Sequence, residues 1–173
     1  MSKNTRVALV AALLAAASNT AFAAPCTGTA ISGSTLATYI RDNLICAYKP
    51  DNTNGTDANE RWSSIQDGTG LSGTLYEYAR GANDPVDPTK SVGSWALVDN
   101  SNNTVSDVAD ATRVQYTYGS NTYNWVVRTT GGTPPYEFCD PANTDERIAY
   151  AKAAVGSVTP GSTTGNQCSW PNF

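Results

Sequence analysis

Histidine is missing from all 173 residues. That absence removes Ser-His-Asp and Cys-His nucleophilic catalysis, His-ligated zinc and the usual proton shuttle near neutral pH. Neither G-x-S-x-G nor S-x-x-K occurs, so two common serine nucleophile arrangements are absent as well. Charge is sparse, with Asp, Glu, Lys and Arg together making up 15% of the chain. Any catalysis would have to rest on carboxylates, tyrosine or lysine.

A long hydrophobic run is also lacking. The most apolar stretch, Val7 to Ala17, is too short to cross a bilayer, which takes roughly 20 residues. It follows Lys3 and Arg6 and precedes Ala21-Phe22-Ala23. A positive start, a short apolar run and a small-x-small site, in that order, are the signature of a cleavable export signal. Residues 1–23 are therefore read as a signal peptide and residues 24–173 as a single mature domain. Pro25 precedes Cys26, where a lipidated cysteine needs a small residue, so lipid attachment is not expected. The mature chain is expected to be periplasmic or secreted, with no membrane insertion after cleavage.

The signal takes two of the 11 basic residues and none of the 15 acidic ones, so nine basic residues face 15 acidic ones and the mature net charge is −6. Such a surface repels phosphate backbones and anionic lipid, which argues against a nucleic-acid partner. The four cysteines, Cys26, Cys46, Cys139 and Cys168, all fall in the mature part. An even number in an exported chain reads as two disulfides. A four-cysteine zinc site would need closely spaced ligand pairs, and none is present, so no metal and no cofactor is expected. Of the three possible connectivities, a nested one is expected, Cys46 with Cys139 and Cys26 with Cys168. The first two sit in patterned strands and the last two in unpatterned tails. The rival is Cys26 with Cys46, leaving Cys139 with Cys168.

Hydrophobic patterning in the mature chain is mostly of period two. After an irregular lead-in over 24–33, Leu36, Tyr39 and Ile40 fall on one face of a short helix capped by Ser34 and stopped near Asn43. Strands are predicted at Leu44–Tyr48, Arg61–Gln66, Thr74–Ala79, Val92–Val98, Thr112–Tyr118, Thr122–Thr129 and Tyr136–Cys139. In Thr74–Ala79, Tyr76 and Tyr78 lie on one face and Leu75 and Glu77 on the other. The clearest unit is the hairpin around Gly119-Ser120-Asn121. It puts Val114, Tyr116, Tyr118, Tyr123, Trp125 and Val127 on one face, with Gln115, Thr117, Asn124 and Arg128 on the other. Ile148, Ala151 and Val155, with Asn143 and Glu146 as a capping arrangement, predict a second helix over roughly 144–155. A Ser/Thr/Gly-rich tail follows from about 157. The fold expected is mainly β (α+β): an antiparallel sheet of about seven strands forming a small barrel or sandwich, with short N- and C-terminal helices and two disulfides.

Several features together carry a resemblance. They are a strand ending near Cys46, the D-P-x-D-P loop of Asp84 to Pro88, the G-x-W of Gly93 to Trp95, the Tyr116-Thr117-Tyr118 strand, and Phe138-Cys139. On these the chain resembles small uncharacterised exported proteins of Gram-negative bacteria. The likeness spans about two-thirds of the mature chain and implies no particular activity. G-x-W is similar to a lipocalin signature, although there it belongs to the first strand and here several strands precede it.

Candidate sites follow from these patterns. The aromatic face of the hairpin reads first as core. If it lines a cavity, Tyr116, Tyr118, Tyr123 and Trp125 are the ligand-binding residues, and a glycan or small apolar ligand suits such walls. Asp51 to Asp57 resembles a calcium loop, but aligning Gly55 with the EF-hand glycine puts Pro50 and Arg61 at the end ligand positions, which neither can fill. Asp84 and Asp87 are another acidic pair, read as solvated loop. Asp67 and Glu77 flank one turn and strand and form the one conceivable glycosidase-like pair. The function expected is thus a non-catalytic binding or interaction module for a protein, small-molecule or glycan partner. Alternatives are a structural subunit of a surface assembly and a carboxylate-dependent glycan hydrolase. Export is directly checkable: N-terminal sequencing of protein recovered outside the cytoplasm should begin at Ala24, and an intact Met1 there would refute the signal.

Overall fold

The computed structural model describes residues 25–41, 43–48, 61–80, 90–132, 135–142 and 146–152. The signal segment, the loop over 50–59, the D-P-x-D-P loop, Cys168 and the tail from 157 lie outside the described residues. The elements run β1 (Thr29–Ala30), α1 (Gly33–Ile40), β2 (Leu44–Tyr48), β3 (Arg61–Asp67), β4 (Ser72–Arg80), β5 (Ser91–Val98), a 3-10 turn (Val108–Asp110), β6 (Arg113–Tyr118), β7 (Asn121–Thr129), β8 (Tyr136–Asp140) and β9 (Glu146–Lys152). All seven strands expected from alternation form, each within two residues of its expected limits.

Every ladder between strands is antiparallel. Successive strands from β2 to β9 are neighbours, and β9 pairs with β2 as well as β8. The sheet is therefore curled like a barrel rather than split into two stacked layers. Register shifts at Ser63/Ser64, Leu75/Tyr76 and Phe138/Cys139 mark irregularities of the kind that bend and twist a strand. The β6–β7 loop is the two-residue Gly119-Ser120, since Tyr118 pairs with Asn121. Gly119 sits at φ +58°, a left-handed value that a tight two-residue hairpin turn needs and that glycine adopts without strain.

The inner face of the curl holds the core. Ile45, Ala47, Leu75, Trp95, Leu97, Val114, Tyr116, Val127 and Phe138 cluster there with Leu36, Ala37, Tyr39 and Ile40 of α1. The helix forms where its i, i+3, i+4 pattern places it, and Asn43 Nδ2 donates to the carbonyls of Thr38 and Tyr39 at its end. Its N-cap is Ser32 rather than Ser34, and no side chain caps that end. Full burial of Leu36 and Ile40 contributes about 1.5 to 3 kcal/mol each. Among the described residues this is the one α-helix. It covers one end of the curled sheet, with Tyr39 stacked on Tyr136 at 4.0 Å. The tryptophan of the G-x-W motif is 1% exposed, and its Nε1 donates to the main-chain oxygen of Asp67 at 3.0 Å.

Two expectations are corrected. Residues 146–152 form a strand, β9, not a helix. Alternation of Ile148 and Tyr150 fits period two as well as the Ala-rich stretch fits a helix. The unpaired main-chain edges of β2 and β8 decide between them, since β9 supplies hydrogen-bond partners to both. The lead-in is also not irregular throughout, because Thr29 and Ala30 pair with Thr129 and Arg128 of β7.

The cysteine pairing differs too. Cys26 bonds Cys139, with Cα atoms 6.3 Å apart, and not Cys168, nor does Cys46 bond Cys139. The reason is the strap that precedes β1. It runs over the outer face of β7 and β8, where Glu137 Oε1 accepts the amides of Thr27 and Gly28 at 2.7 and 2.6 Å. That brings Cys26 down onto Cys139, two residues beyond Glu137. Closing a 113-residue separation is worth about 4 to 5 kcal/mol in the chain-entropy account. No described cysteine is free, and the even count of four cysteines predicts that Cys46 pairs with Cys168. Proteolysis without reductant should therefore release a peptide joining Cys26 to Cys139 and a second joining Cys46 to Cys168. A peptide joining Cys26 to Cys46 would contradict both.

Candidate functional site

The register of the β6–β7 hairpin puts the aromatic residues where alternation says they should be. Val114 pairs with Trp125 and Tyr116 with Tyr123, while Gln115 pairs with Asn124 and Thr117 with Thr122 on the opposite face. That opposite face is held by a hydrogen bond from Gln115 Nε2 to Asn124 Oδ1 at 2.9 Å. It presents polar groups outward.

Burial along the aromatic face is graded. Toward α1, Val114 and Val127 are fully buried and Tyr116 is 8% exposed. Tyr118 and Trp125 are half-buried against the core. Tyr123, the cross-strand partner of Tyr116 on the part of β7 that β8 does not pair with, is 44% exposed, the one exposed large hydrophobic side chain among the described residues. Its ring lies 6.1 Å from that of Trp125 with the planes 12° apart, and 6.2 Å from Tyr118 at 67°. The four candidate residues are thus brought together on one face, but they play two parts. Tyr116 is core, set edge-on to Phe138 at 6.5 Å. Tyr118, Tyr123 and Trp125 form a strip that leads from the core to solvent.

Polar groups share the inner face. Gln66 pairs with Leu75 and Ser64 with Glu77 across β3 and β4, so Gln66 and Glu77 lie on the side of Leu75. Gln66 is fully buried and Glu77 is 5% exposed. Alternation in the sequence separates Leu75 and Glu77 from Tyr76, and the structure shows that the charged side of β4 is the buried one. Composition alone gives no signal for that choice.

Burial of Tyr39 pushes its phenol well above its ordinary value, and the nearby phenols of Tyr116 and Tyr136 add to the effect. Tyr116 is raised in the same way by burial first and Tyr118 second. Both hydroxyls therefore stay protonated across the physiological range, able to donate a hydrogen bond but not to act as bases. The hydroxyl of Tyr39 is buried without a hydrogen-bond partner.

Other sequence candidates are not assembled. Asp67 directly follows Gln66 in β3 and so faces away from the side that carries Glu77. The two are also offset by three residues along the ladder, since Asp67 pairs with Thr74, or about 10 Å. A glycosidase pair needs its carboxyl groups across one bond on one face, and these two do not meet it. The loop from Asp51 to Asp57 and the pair Asp84 and Asp87 lie outside the described residues.

No family model, no curated protein and no solved structure matches the chain.

The buried phenol of Tyr39 generates a pH prediction. Its raised native value means that the unfolded chain loses this proton first, above about pH 10. Stability is fully present below that pH and falls as pH rises beyond it. Tyr39→Phe keeps the stacked ring and removes both the ionisation and the unpartnered hydroxyl. It should leave stability at pH 7 unchanged or raised, and should flatten the loss between about pH 10 and 11 in chemical denaturation. A drop of about 2 kcal/mol at pH 7 would instead show that the hydroxyl is paired.

Proposed function

We propose that the protein is an exported, non-catalytic binding module, and that ligand lies against the strip formed by Tyr118, Tyr123 and Trp125. The observation that carries this reading is Tyr123. A tyrosine 44% exposed beside a near-parallel tryptophan leaves apolar ring surface uncovered on the β7 side of a face that is otherwise core. Such surface suits the flat C–H faces of sugar rings and small apolar ligands. The negative charge of the mature chain disfavours anionic ligands. Together these features favour a neutral ligand, with saccharides first.

Export accords with two further facts. A disulfide persists in oxidising surroundings outside the cytoplasm. No helix among the described residues is long and apolar enough to cross a membrane. Neither fact names a compartment, and the ordered signal of residues 1–23 carries the placement in periplasm or medium. In the same reading the curled sheet is a small barrel with its helix-covered end as the structural base and the Asn121 to Trp125 part of β7 as the binding side.

The test is titration of the mature protein with a panel of neutral oligosaccharides, followed by tryptophan fluorescence and calorimetry. Tyr123→Ala should weaken binding about 10-fold or more, equivalent to about 1.4 kcal/mol. It should change unfolding stability by no more than about 1 kcal/mol, since the side chain is exposed. Binding that survives Tyr123→Ala and Trp125→Phe unchanged would move the site elsewhere. A panel with no binder at millimolar concentration would remove the saccharide reading.

A further inference from the structure

Outside the aromatic strip, one cluster of ligating side chains stands out on the opposite, outer face of the sheet. Cys26, Glu137 and Cys139 place two sulfur atoms and a carboxylate oxygen all within 4.8 Å of one another. Glu137 and Cys139 are fully buried under the strap, and Cys26 is half-buried at its edge. Cysteine spacing in the sequence gives no hint of this set, since Cys26 and Cys139 are 113 residues apart.

The strap is located independently of its disulfide. Glu137 accepts the amides of Thr27 and Gly28, and Arg128, the cross-strand neighbour of Glu137, donates from Nη1 to the carbonyl of Gly28 at 3.1 Å. A Cβ at Gly28 would run into the main-chain oxygen of Thr129, so the strap lies close on β7 and only glycine allows the approach. Thr29 and Ala30 then continue along β7 as β1. These contacts tie the strap to β7 and β8 through groups other than the sulfurs.

We infer that the Cys26–Cys139 pair is a redox-gated metal site: when reduced, the two thiolates and the Glu137 carboxylate bind one thiophilic divalent ion such as Zn2+ or Cd2+. As a disulfide, the pair offers no thiolate and the site is closed. Reduction by a dithiol transfers two electrons and two protons. The S–S bond breaks, Cys26 and Cys139 become thiols, and the reductant leaves as its own disulfide. Metal entry then displaces the two thiol protons to solvent and forms two metal–sulfur bonds and one metal–oxygen bond. Water takes the fourth position of a tetrahedral site. The half-buried Cys26 gives the ion its route in. The site is separate from the aromatic strip and does not depend on the binding function proposed for it.

The experiment is titration of the whole mature protein with Cd2+, followed by thiolate-to-metal charge-transfer absorption, with near-ultraviolet circular dichroism reporting the fold. The oxidised protein should show no band. After treatment with a dithiol reductant a band should appear, and the Cys26→Ser/Cys139→Ser variant should bind one equivalent fewer than the wild-type chain. Glu137→Gln keeps the shape of the side chain and removes the anionic oxygen. It should weaken that equivalent about 10-fold or more, the scale on which even groups outside the ligand set matter. Below the thiol pKa, affinity should fall about 100-fold per pH unit, since two protons are displaced. An affinity indifferent to Glu137→Gln overturns the inference, because thiols of an unfolded or distorted chain would bind metal without the carboxylate. Equal stoichiometry in the double serine variant, or equal binding by the oxidised chain, overturns it as well.

Discussion

Strand β7 is the constraint on which the rest of the molecule depends. It pairs with β6 along Asn121 to Trp125, with β8 along Val126 to Thr129, and with β1 at Arg128 and Thr129. Main-chain hydrogen bonding on both edges fixes its side chains at a period of two, so a slip of one residue would exchange its two faces. Val127 then enters the core, Trp125 and Tyr123 line the inner face, and Arg128 meets the strap on the outside. Each of the two candidate sites takes side chains or main-chain support from this strand.

The two faces do different chemical jobs. Inside, apolar and aromatic side chains are covered at one end by α1 and reach solvent on the part of β7 that β8 does not pair with. The phenols of Tyr39 and Tyr116 remain neutral there and supply no base. Outside, the strap that precedes β1 is held by carboxylate-to-amide hydrogen bonds, a short ladder and a disulfide. A charged acceptor for two main-chain amides is among the stronger hydrogen-bond arrangements available to a protein. The disulfide adds its constraint mainly by restricting the unfolded chain.

The absence of histidine closes off much catalytic chemistry at the level of composition, and the sheet geometry closes off more. Asp67 and Glu77 are near in sequence, but strand alternation points them to opposite faces. Across a hairpin the register decides which residues share a face, and here Asp67 pairs with Thr74, an odd three residues from Glu77.

Local periodicity was enough to determine much of this protein. Alternation in Val114 to Val127 marks both strands of the hairpin and the face its aromatics share. The spacing of Leu36, Tyr39 and Ile40 marks the buried side of α1. These features are legible because neighbouring residues report directly on a repeat of 2 or 3.6. Tertiary structure decided the rest. Residues 146–152 carry a pattern that serves either a helix or a strand, and the open edges of β2 and β8 select the strand. Cys26 finds Cys139 because Glu137 draws the strap onto β8, a meeting that no spacing in the chain encodes. Tyr116 is buried while its cross-strand partner Tyr123 is exposed, because β6 is flanked by β5 and β7 whereas β8 pairs with β7 only from Val126 onward. Such outcomes depend on where distant segments of chain return, and sequence periodicity carries no information about that.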